Sequence, residues 1–427
     1  MAKILIVTAR FSPFIGPRAH RWTALAGYFA AQGLEVHVVC PRCREDKNLA
    51  PEPGLIVHRT GFDTLKELIY FIFCISSGRG RVGRRPEKPG LLARCGNWLY
   101  ERIWKKIAFP DDSILWYWPA RRKAVQLCRQ HEFQAVITVS LPFVPQLVGQ
   151  VLKKRYPHLF WLADVGDPFS FQPRFKQAGA RQRAAALEHD LLRRADCVTV
   201  TTSSLTNKYV EVFGEAVRSK LVAIPPLLHP PMTSIGADLP IDDEVHLGYF
   251  GTFYAPVRTP AVVIDLLKRT LSARPNWQKR LSVHFYGEIF PEFVADLLDA
   301  PCVVLYGLQP RDVSRIAMQN VQGLLHIGNT TDFQLPSKSA EYLASGKPVF
   351  HLSYVENDPF VAFWDKQPGL VSVSVTEGVV SEEGFDLWLN WLETLMEKKA
   401  PHWPRTTQAL LLETIGRDYL RRLHLSE

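Results

Sequence analysis

The stretch DFQLPSKSAEYLASGKPV, residues 332–349, is the part of the sequence on which the organisation of the chain depends. Pro336 fixes a helical φ angle and Gly346 ends the segment, so the stretch predicts a short helix between them. Lys338 and Glu341 are three positions apart and would project from one face of that helix. The helix N-terminus and the lysine suit a diphosphate, and the carboxylate suits the two hydroxyls of a ribose. The pattern predicts either a nucleotide site or a capped surface helix with one ion pair.

The same residues resemble a known family. PSKSAEYLASGKPV, residues 336–349, is similar to the C-terminal-domain signature of family 4 glycosyltransferases, which have the GT-B fold. The resemblance implies an α/β protein of two doubly wound, Rossmann-like domains facing across a cleft, with Glu341 binding the donor ribose and Ser337 beside it. Family members commonly carry a second glutamate eight residues earlier, which contacts the donor sugar. Phe333 stands there in this chain, and the neighbouring Asp332 is the candidate substitute.

Length and composition support two domains. The 427 residues exceed the usual size of one domain, and 47% hydrophobic with 22% charged residues is ordinary for a globular protein. We expect an acceptor-side domain at 1–228, a donor-binding domain at 229–400 and a C-terminal helix within 401–427. The family resemblance implies that this last helix packs back on the first domain. The net charge of +9 favours an acidic partner, such as nucleotide phosphates, an anionic membrane or nucleic acid.

Other sequence features bear on localisation and on metal chemistry. No apolar run reaches the roughly 18 residues of a membrane span, and the N-terminus MAKILIVTAR has no cleavable signal pattern, so we expect a cytoplasmic protein. The seven cysteines are scattered, and Cys40 with Cys43 lacks the second pair that would complete a zinc site. We therefore expect reduced thiols. The sequence contains no D-x-D triplet, which agrees with the metal-independent chemistry that the resemblance implies.

The N-terminal half opens with a βαβ unit. KILIVTA at 3–9 predicts a buried parallel strand, and an amphipathic helix is predicted over about 23–32. The loop between them contains Gly16, Arg18 and Arg21, and it lacks the GxGxxG of a nicotinamide-type site. The resemblance implies that this loop lies against the donor diphosphate, through Gly16, and against the acceptor, through the two arginines. Solvated loop charges are the alternative.

Polar side chains follow the later strands of this half. AVITVS predicts a strand that ends in Ser140, which we place on the acceptor side. FWLADVGDPF at 160–169 predicts a strand with Asp164 and Asp167 at its carboxyl end, where open α/β sheets bind ligands. The two aspartates are therefore catalytic candidates, with an Asx turn and a helix cap as the structural alternative. Many relatives in the resembled family have an arginine in place of Gly166.

The second half restarts the pattern of strands and helices. HLGYFGTF at 246–253 predicts a strand that reaches a glycine-bearing loop, and the next segment carries Arg258 into a helix. This region resembles the family's G-R-L-x-x-K-G loop, in which two basic residues neutralise the donor diphosphate. Thr252 stands at the first basic position and Arg258 near the second. The resemblance therefore implies that Arg258 and Lys338 together balance the diphosphate and act in catalysis.

A basic and aromatic segment interrupts the first half at about residues 63–110. Between Arg79 and Lys106 it contains nine Lys or Arg and two Glu, interleaved with apolar residues such as Trp98 and Trp104. This composition predicts an interfacial element on an anionic bilayer, and hence a peripheral protein at the inner membrane. A solvated insertion and a nucleic-acid contact are the alternatives.

The sequence and the resemblance together predict a retaining glycosyltransferase. It would move a sugar from a UDP- or GDP-linked donor to a glycan or lipid-linked acceptor in surface polysaccharide biosynthesis, without a metal ion or a cofactor. A nucleotide-sugar epimerase is the second class, because a fold does not decide function. A nucleic-acid-binding protein is the third class, but no recognised motif supports it, so no nucleic-acid partner is expected.

Overall fold

The computed structural model describes most of the chain, which divides into two units. The described residues are 1–14, 16–43, 53–65, 67–68, 100–104, 107–172, 175, 177–230, 244–253, 258–397 and 406–425. Unit 1 comprises Met1–Ile224 together with Leu412–Glu427, and unit 2 comprises Pro225–Leu411. Each unit contains its own seven-stranded sheet.

The sheet of unit 1 is parallel throughout. Its described strands are β1 Lys3–Thr8, β2 Glu35–Cys40, β3 Leu55–Arg59, β4 Ala135–Val139, β5 Phe160–Asp164, β6 Cys197–Val200 and β7 Leu221–Ala223. They lie in the order β3-β2-β1-β4-β5-β6-β7. Every side chain of β4 is buried. Short runs that are apolar on both faces are expected where helices cover both sides of a parallel sheet.

The sheet of unit 2 repeats this plan. Its described strands are β8 Val245–Phe250, β9 Leu281–Tyr286, β10 Val303–Gly307, β11 Gly323–Ile327, β12 Val349–Ser353, β13 Leu370–Thr376 and β14 Val379–Val380. They lie in the order β10-β9-β8-β11-β12-β13-β14, and only the β13–β14 pairing among them is antiparallel. Counted from its own first strand, each sheet has the same order. The predicted α/β architecture of two doubly wound domains is therefore confirmed.

Helices cover both sheets. Those described are α1 Pro17–Ala31, α2 Tyr117–Gln130, α3 Val144–Arg155, α4 Ala178–Arg194, α5 Ser203–Phe213, α6 Ala261–Ala273, α7 Pro291–Leu298, α8 Arg311–Gln319, α9 Ser339–Ala344, α10 Pro359–Trp364, α11 Glu382–Met396 and α12 Leu412–Arg422. In unit 2, Trp388 and Trp391 of α11 pack on Phe350 of β12, with ring centroids 4.8 and 5.5 Å apart. Such contacts place the core of the unit between the sheet and its helices.

Two helix boundaries differ from the sequence predictions. Helix α1 begins at Pro17 rather than near residue 23, because proline is well suited to the first helical position. The following arginines therefore lie in a helix and not in a loop. Helix α9 begins at Ser339 instead of Pro336, since the Ser339 N–H and hydroxyl both donate to the Pro336 carbonyl oxygen in a preceding turn. Lys338 takes the N-cap position of α9.

Most of the basic segment falls outside the described residues. Arg79, Arg81, Arg84, Arg85 and Trp98 are all in the part that is not described. The described portion contains a π-helical turn at Tyr100–Trp104. Among the described residues, no helix is both long enough and apolar enough to cross a bilayer.

Candidate functional site

A partly buried ion pair joins two helices at the carboxyl end of the unit 2 sheet. Arg311 is the first residue of α8, which follows β10, and Glu341 lies in α9, which follows β11. Arg311 Nη2 donates a hydrogen bond to Glu341 Oε1 at 2.8 Å, and the Glu341 side chain is 5% exposed. Lys338 Nζ lies 3.8 Å from the same oxygen. Lys338 and Glu341 therefore face each other as the spacing predicts, but Arg311 makes the shorter contact.

More positive charge surrounds this ion pair. Arg315 lies one turn after Arg311, and its buried Nη1 has no hydrogen-bond partner among the described residues. Burial, and then the charge of Arg311, lower the pKa of Arg315. Burial also lowers the pKa of Lys338, and both arginines add to that effect while Glu341 opposes it. Burial and the two arginines lower the pKa of His229 as well. Cations that lower one another's pKa repel, so an anion would stabilise the cluster.

Glu341 keeps one oxygen atom for a further partner. Its described contacts all reach Oε1, and no described residue donates a hydrogen bond to Oε2. Leaving an acceptor on an almost buried carboxylate without a donor is unfavourable unless water or a ligand supplies one. The hydroxyls of a ribose are donors of the kind that a carboxylate oxygen accepts.

Arg258 lies beside the loop that leads from β11 to α9. Its Nη2 donates to Asn329 Oδ1 at 2.6 Å, and Asn329 Nδ2 donates to the Gln334 carbonyl oxygen at 2.9 Å. The Nε of Arg258 is buried and has no hydrogen-bond partner among the described residues. Arg258 precedes α6 and is not carried into that helix as predicted, because the helix begins only at Ala261, after Pro260. Asn329 therefore holds the Arg258 guanidinium against the loop, while the buried Nε of Arg258 has no partner among the described residues.

The other donor-side candidates are loop residues. Thr252 is half-buried after β8, while Ser337 and Asp332 are exposed before α9. None of the three side chains contacts Glu341 among the described residues. Gly251, the first residue after β8, lies close to Gly287, because a Cβ on Gly287 would be 1.9 Å from the carbonyl oxygen of Gly251. The structure thus brings Lys338 and Glu341 together and leaves these three candidates without a shared contact.

Unit 1 contains a second buried carboxylate, at the end of β5. Asp164 is 3% exposed, and its Oδ1 accepts hydrogen bonds from Thr199 Oγ1 and Tyr419 OH, both at 2.7 Å. Its Oδ2 accepts from Trp22 Nε1 at 2.9 Å and lies 2.7 Å from Arg18 Nη2. Burial alone would raise the pKa of Asp164, but the nearby arginines and the hydrogen bonds outweigh burial and lower it. Both oxygens are engaged inside unit 1, which suits a positioning group better than the catalytic role we predicted.

The helical position of Arg21 turns its side chain inward. Arg21 is 6% exposed, and its Nη2 donates to the hydroxyl of Tyr419 on α12 at 3.1 Å. It therefore links α1 to α12 inside unit 1, where we had placed it on the acceptor side. Gly16, directly before α1, has an extended φ of 166°, which any residue adopts. The backbone conformation at that position therefore does not require glycine.

Arg18 occupies the space beside Gly166. Its Nε donates to the carbonyl oxygen of Ser140 at 2.8 Å while its Nη2 meets Asp164. A Cβ on Gly166 would lie 2.4 Å from the Arg18 Cζ, so the Arg18 side chain keeps this position only beside a glycine. Ser140, our other acceptor-side candidate, is buried and accepts a hydrogen bond from Gln146 Nε2 at 2.9 Å. Its hydroxyl is thus engaged within the unit.

A buried glutamate holds the loop that contains Asp167. Glu188 of α4 accepts hydrogen bonds from the backbone N–H groups of Phe169 at 2.7 Å and Ser170 at 2.9 Å. It also accepts one from Tyr209 OH at 2.6 Å. Burial raises the pKa of Glu188, although these hydrogen bonds act against that rise. Glu188 therefore holds the backbone of this loop at Phe169 and Ser170, and Asp167, earlier in the loop, is half-buried.

Sequence reasoning missed the main partners of both carboxylates. Arg311 and Glu341 are 30 residues apart in the chain, and Tyr419 and Asp164 are 255 apart. One signal for the arginines was present in RDVSR at 311–315, directly after the strand CVVLYG, where two arginines four positions apart share a helix face. No comparable signal links Tyr419 to Asp164.

Solved structures of other proteins are similar to this chain over nearly its full length. Sucrose-phosphate synthase from Thermosynechococcus elongatus is 14% identical, with a TM-score of 0.59, over 99% of this chain and 95% of its own. HepE from Anabaena, in complex with UDP and glucose, is 13% identical, with a TM-score of 0.60, over 99% of this chain and 100% of its own. The α,α-trehalose 6-phosphate synthase from Burkholderia multivorans is 12% identical, with a TM-score of 0.58, over 99% and 98%. These likenesses show that the chain has the GT-B fold.

Comparisons of sequence give no further assignment. No family model matches the chain, and no curated protein matches it.

Replacing Asp164 tests its positioning role. We expect Asp164→Asn to destabilise unit 1 by about 3 kcal/mol at pH 7, since it leaves the largely buried Arg18 without its charge partner. The folded-state pKa of Asp164 lies below its unfolded value of about 3.9, so its contribution is present above that pH and is lost as the pH falls through the folded value. Urea unfolding at several pH values should show the two proteins converging below about pH 4.

The matched control is Asp190→Asn, which removes a partly exposed helix ion pair with Arg194. It should change the free energy of unfolding by no more than about 0.5 kcal/mol. Equal stability of wild type and Asp164→Asn at pH 7 would contradict the positioning role.

Proposed function

We propose that this protein is a glycosyltransferase that takes a sugar from a nucleotide-sugar donor bound to unit 2. The observation that carries the proposal is the pair of buried Glu341 and partly exposed Arg311, in which one carboxylate oxygen has no described donor and positive charges outnumber the carboxylate. The fold supports it, since HepE shares this fold and was solved with UDP and glucose and also with UDP-glucose. Those ligands favour a UDP-linked donor.

The donor nucleotide would make two kinds of contact. Glu341 Oε2 accepts hydrogen bonds from the ribose hydroxyls, while Arg311, Arg315 and Lys338 face the diphosphate. Three cations and one carboxylate leave two positive charges, which complement the charge of a bridging diphosphate. Because α9 has only six residues, side chains and not its N-terminus carry this charge, in contrast to the sequence prediction.

The proposed reaction is a displacement at the anomeric carbon with retention of configuration. The bond from that carbon to the diphosphate oxygen breaks, the acceptor oxygen bonds to the same face, and the acceptor proton passes to the diphosphate oxygen. Negative charge grows on the diphosphate in this step, so cations fixed in advance lower the barrier. Arg258, with its unused Nε, and Lys338 supply that charge, and no step is assigned to a metal ion.

The proposed acceptor is a lipid-linked glycan of surface polysaccharide biosynthesis, met at the inner face of the membrane. The net charge of +9 and the basic segment between Arg79 and Lys106 support this part of the proposal. Each basic residue close to an anionic bilayer contributes about 1 kcal/mol before screening by salt. Nine such residues are more than reversible attachment requires.

Replacing Glu341 tests the ribose contact. Glu341→Ala should weaken UDP binding by about 1.5–3 kcal/mol, because the ribose loses a charged hydrogen-bond acceptor. Inorganic pyrophosphate has no ribose, and its affinity should stay the same or rise, since Arg311 is released from its ion pair. Calorimetry with both ligands separates the two effects. Glu356→Ala, at an exposed position, is the control. Unchanged UDP affinity in Glu341→Ala would refute the assignment.

The cations are tested by kinetics. Arg258→Ala and Lys338→Ala should each lower kcat by about 100-fold and change KM for the donor much less, because their charge matters most in the transition state. Arg258→Lys should restore part of kcat, and Arg274→Ala, which breaks an exposed ion pair with Glu393, should behave as wild type. Variants that lose only donor affinity, or that keep normal kinetics, would rule out this role.

Liposome sedimentation tests the membrane contact. Binding should rise with the fraction of anionic lipid and fall with salt, because the attraction is electrostatic. Changing Arg79, Arg81, Arg84 and Arg85 together to Ser should release most of the protein. Wild-type protein that stays in the supernatant with anionic liposomes at low salt would favour a soluble acceptor.

A further inference from the structure

Unit 1 contains a histidine-rich cluster that the proposed reaction does not use. Glu35 and His37 lie on β2, His58 lies on the neighbouring β3, and His131 follows the last residue of α2. Glu35 and His37 are two positions apart on a strand, so their side chains share one face of the sheet. Glu35 begins β2, which places the cluster toward the amino ends of the strands, away from the carboxyl ends where open α/β sheets bind substrates.

Three of these side chains converge with the spacing of metal ligands. One ligand atom each from Glu35, His37 and His131 lies within 4.8 Å of the others. His37 Nε2 is 3.0 Å from Glu35 Oε1, and His131 Nδ1 is 3.8 Å from the same oxygen. In a tetrahedral zinc site with bonds of about 2.0–2.1 Å, neighbouring ligand atoms are roughly 3.4 Å apart. Small side-chain movements would therefore bring all three atoms onto one ion.

The protein fixes the two imidazoles in place. Phe133 contacts both rings, with centroids 5.2 Å from His37 and 5.8 Å from His131. The His131 N–H donates to the Leu127 carbonyl oxygen at 2.8 Å, so the end of α2 sets the position of that residue. A site whose ligands are held by packing loses little conformational freedom when an ion binds.

His58 orients the most buried of these ligands. His58 Nε2 lies 3.0 Å from His37 Nδ1, so the two ring nitrogens share a hydrogen bond and the other nitrogen of His37 faces Glu35. Outer partners of this kind fix the tautomer and the direction of a metal-bound histidine.

Lys3 competes with an ion for Glu35, and the charge of Lys123 acts on His58. The Nζ of Lys3 lies 3.0 Å from Glu35 Oε1, and the Lys3 side chain is 32% exposed, so it has room to move away. The Glu35 and His131 side chains are 23% and 28% exposed, which gives an ion and a water molecule a path from solvent.

We infer that Glu35, His37 and His131 form a binding site for one zinc ion, with His58 as the outer histidine that orients His37. Two imidazoles and a carboxylate suit zinc, and a water molecule would complete the tetrahedron. The ion would fasten β2 to the end of α2 and so stabilise unit 1. This inference does not depend on the proposed glycosyl transfer.

The test uses the full-length, tag-free protein after removal of metal with a chelator. Zinc titration by calorimetry should show one equivalent bound, and the thermal unfolding midpoint should rise with zinc because the ion binds only the folded state. His131→Ala should weaken zinc binding by about 100-fold and His58→Ala by about 10-fold. His158→Ala, an exposed histidine outside the cluster, should bind as wild type. Lys3→Ala should bind zinc more tightly, because Glu35 loses its competing cation.

Three results would overturn the inference. The first is equal zinc affinity in wild type and His131→Ala. The second is the absence of zinc binding in folded wild-type and Lys3→Ala protein. The third is a cobalt-substituted protein whose spectrum shows thiolate-to-metal charge transfer, which would place the ion on cysteines instead.

Discussion

A carboxylate buried at the carboxyl end of a parallel sheet has to be compensated by cations or hydrogen-bond donors, and each unit of this protein contains such a group. In unit 1, Asp164 receives a full set of partners from α1, β6 and α12, so that carboxylate fastens three elements. In unit 2, Glu341 receives Arg311 on one oxygen and nothing described on the other. Both oxygens of Asp164 therefore have partners, whereas one oxygen of Glu341 has none among the described residues.

This difference supports a structural role for Asp164 and is the reason for proposing a ligand-binding role for Glu341. Around Glu341 the cations outnumber the carboxylate, and burial with mutual repulsion lowers the pKa of Arg315 and of Lys338. Such a cluster is least favourable when no ligand is bound. An anion that carries hydroxyl groups would reduce the repulsion between the cations and would donate hydrogen bonds to the unused oxygen. A nucleoside diphosphate carries both features. The GT-B fold is consistent with that ligand, but the side chains around Glu341 support it more strongly, because a fold does not decide function.

The strands and the two-domain plan were predictable because buried parallel strands are short apolar runs, as in KILIVT and AVITV. The Lys338–Glu341 contact was predictable because residues three apart at the start of a helix lie on one face. Contacts between distant parts of the chain were not. Arg311 reaches Glu341 only through the packing of α8 beside α9, and Tyr419 reaches Asp164 only because α12 belongs to unit 1. The inward turn of Arg21 depended on where α1 begins, which Pro17 decides.

The most direct test is a crystal structure of the protein with UDP bound. We predict the ribose hydroxyls about 3 Å from Glu341 Oε2, with the diphosphate oxygens against Arg311 and Lys338. The Arg311–Glu341 pair should persist through Oε1, so that the ligand adds to the ion pair and does not replace it. A nucleotide whose ribose lies away from Glu341, with its diphosphate bound to other cations, would contradict this assignment.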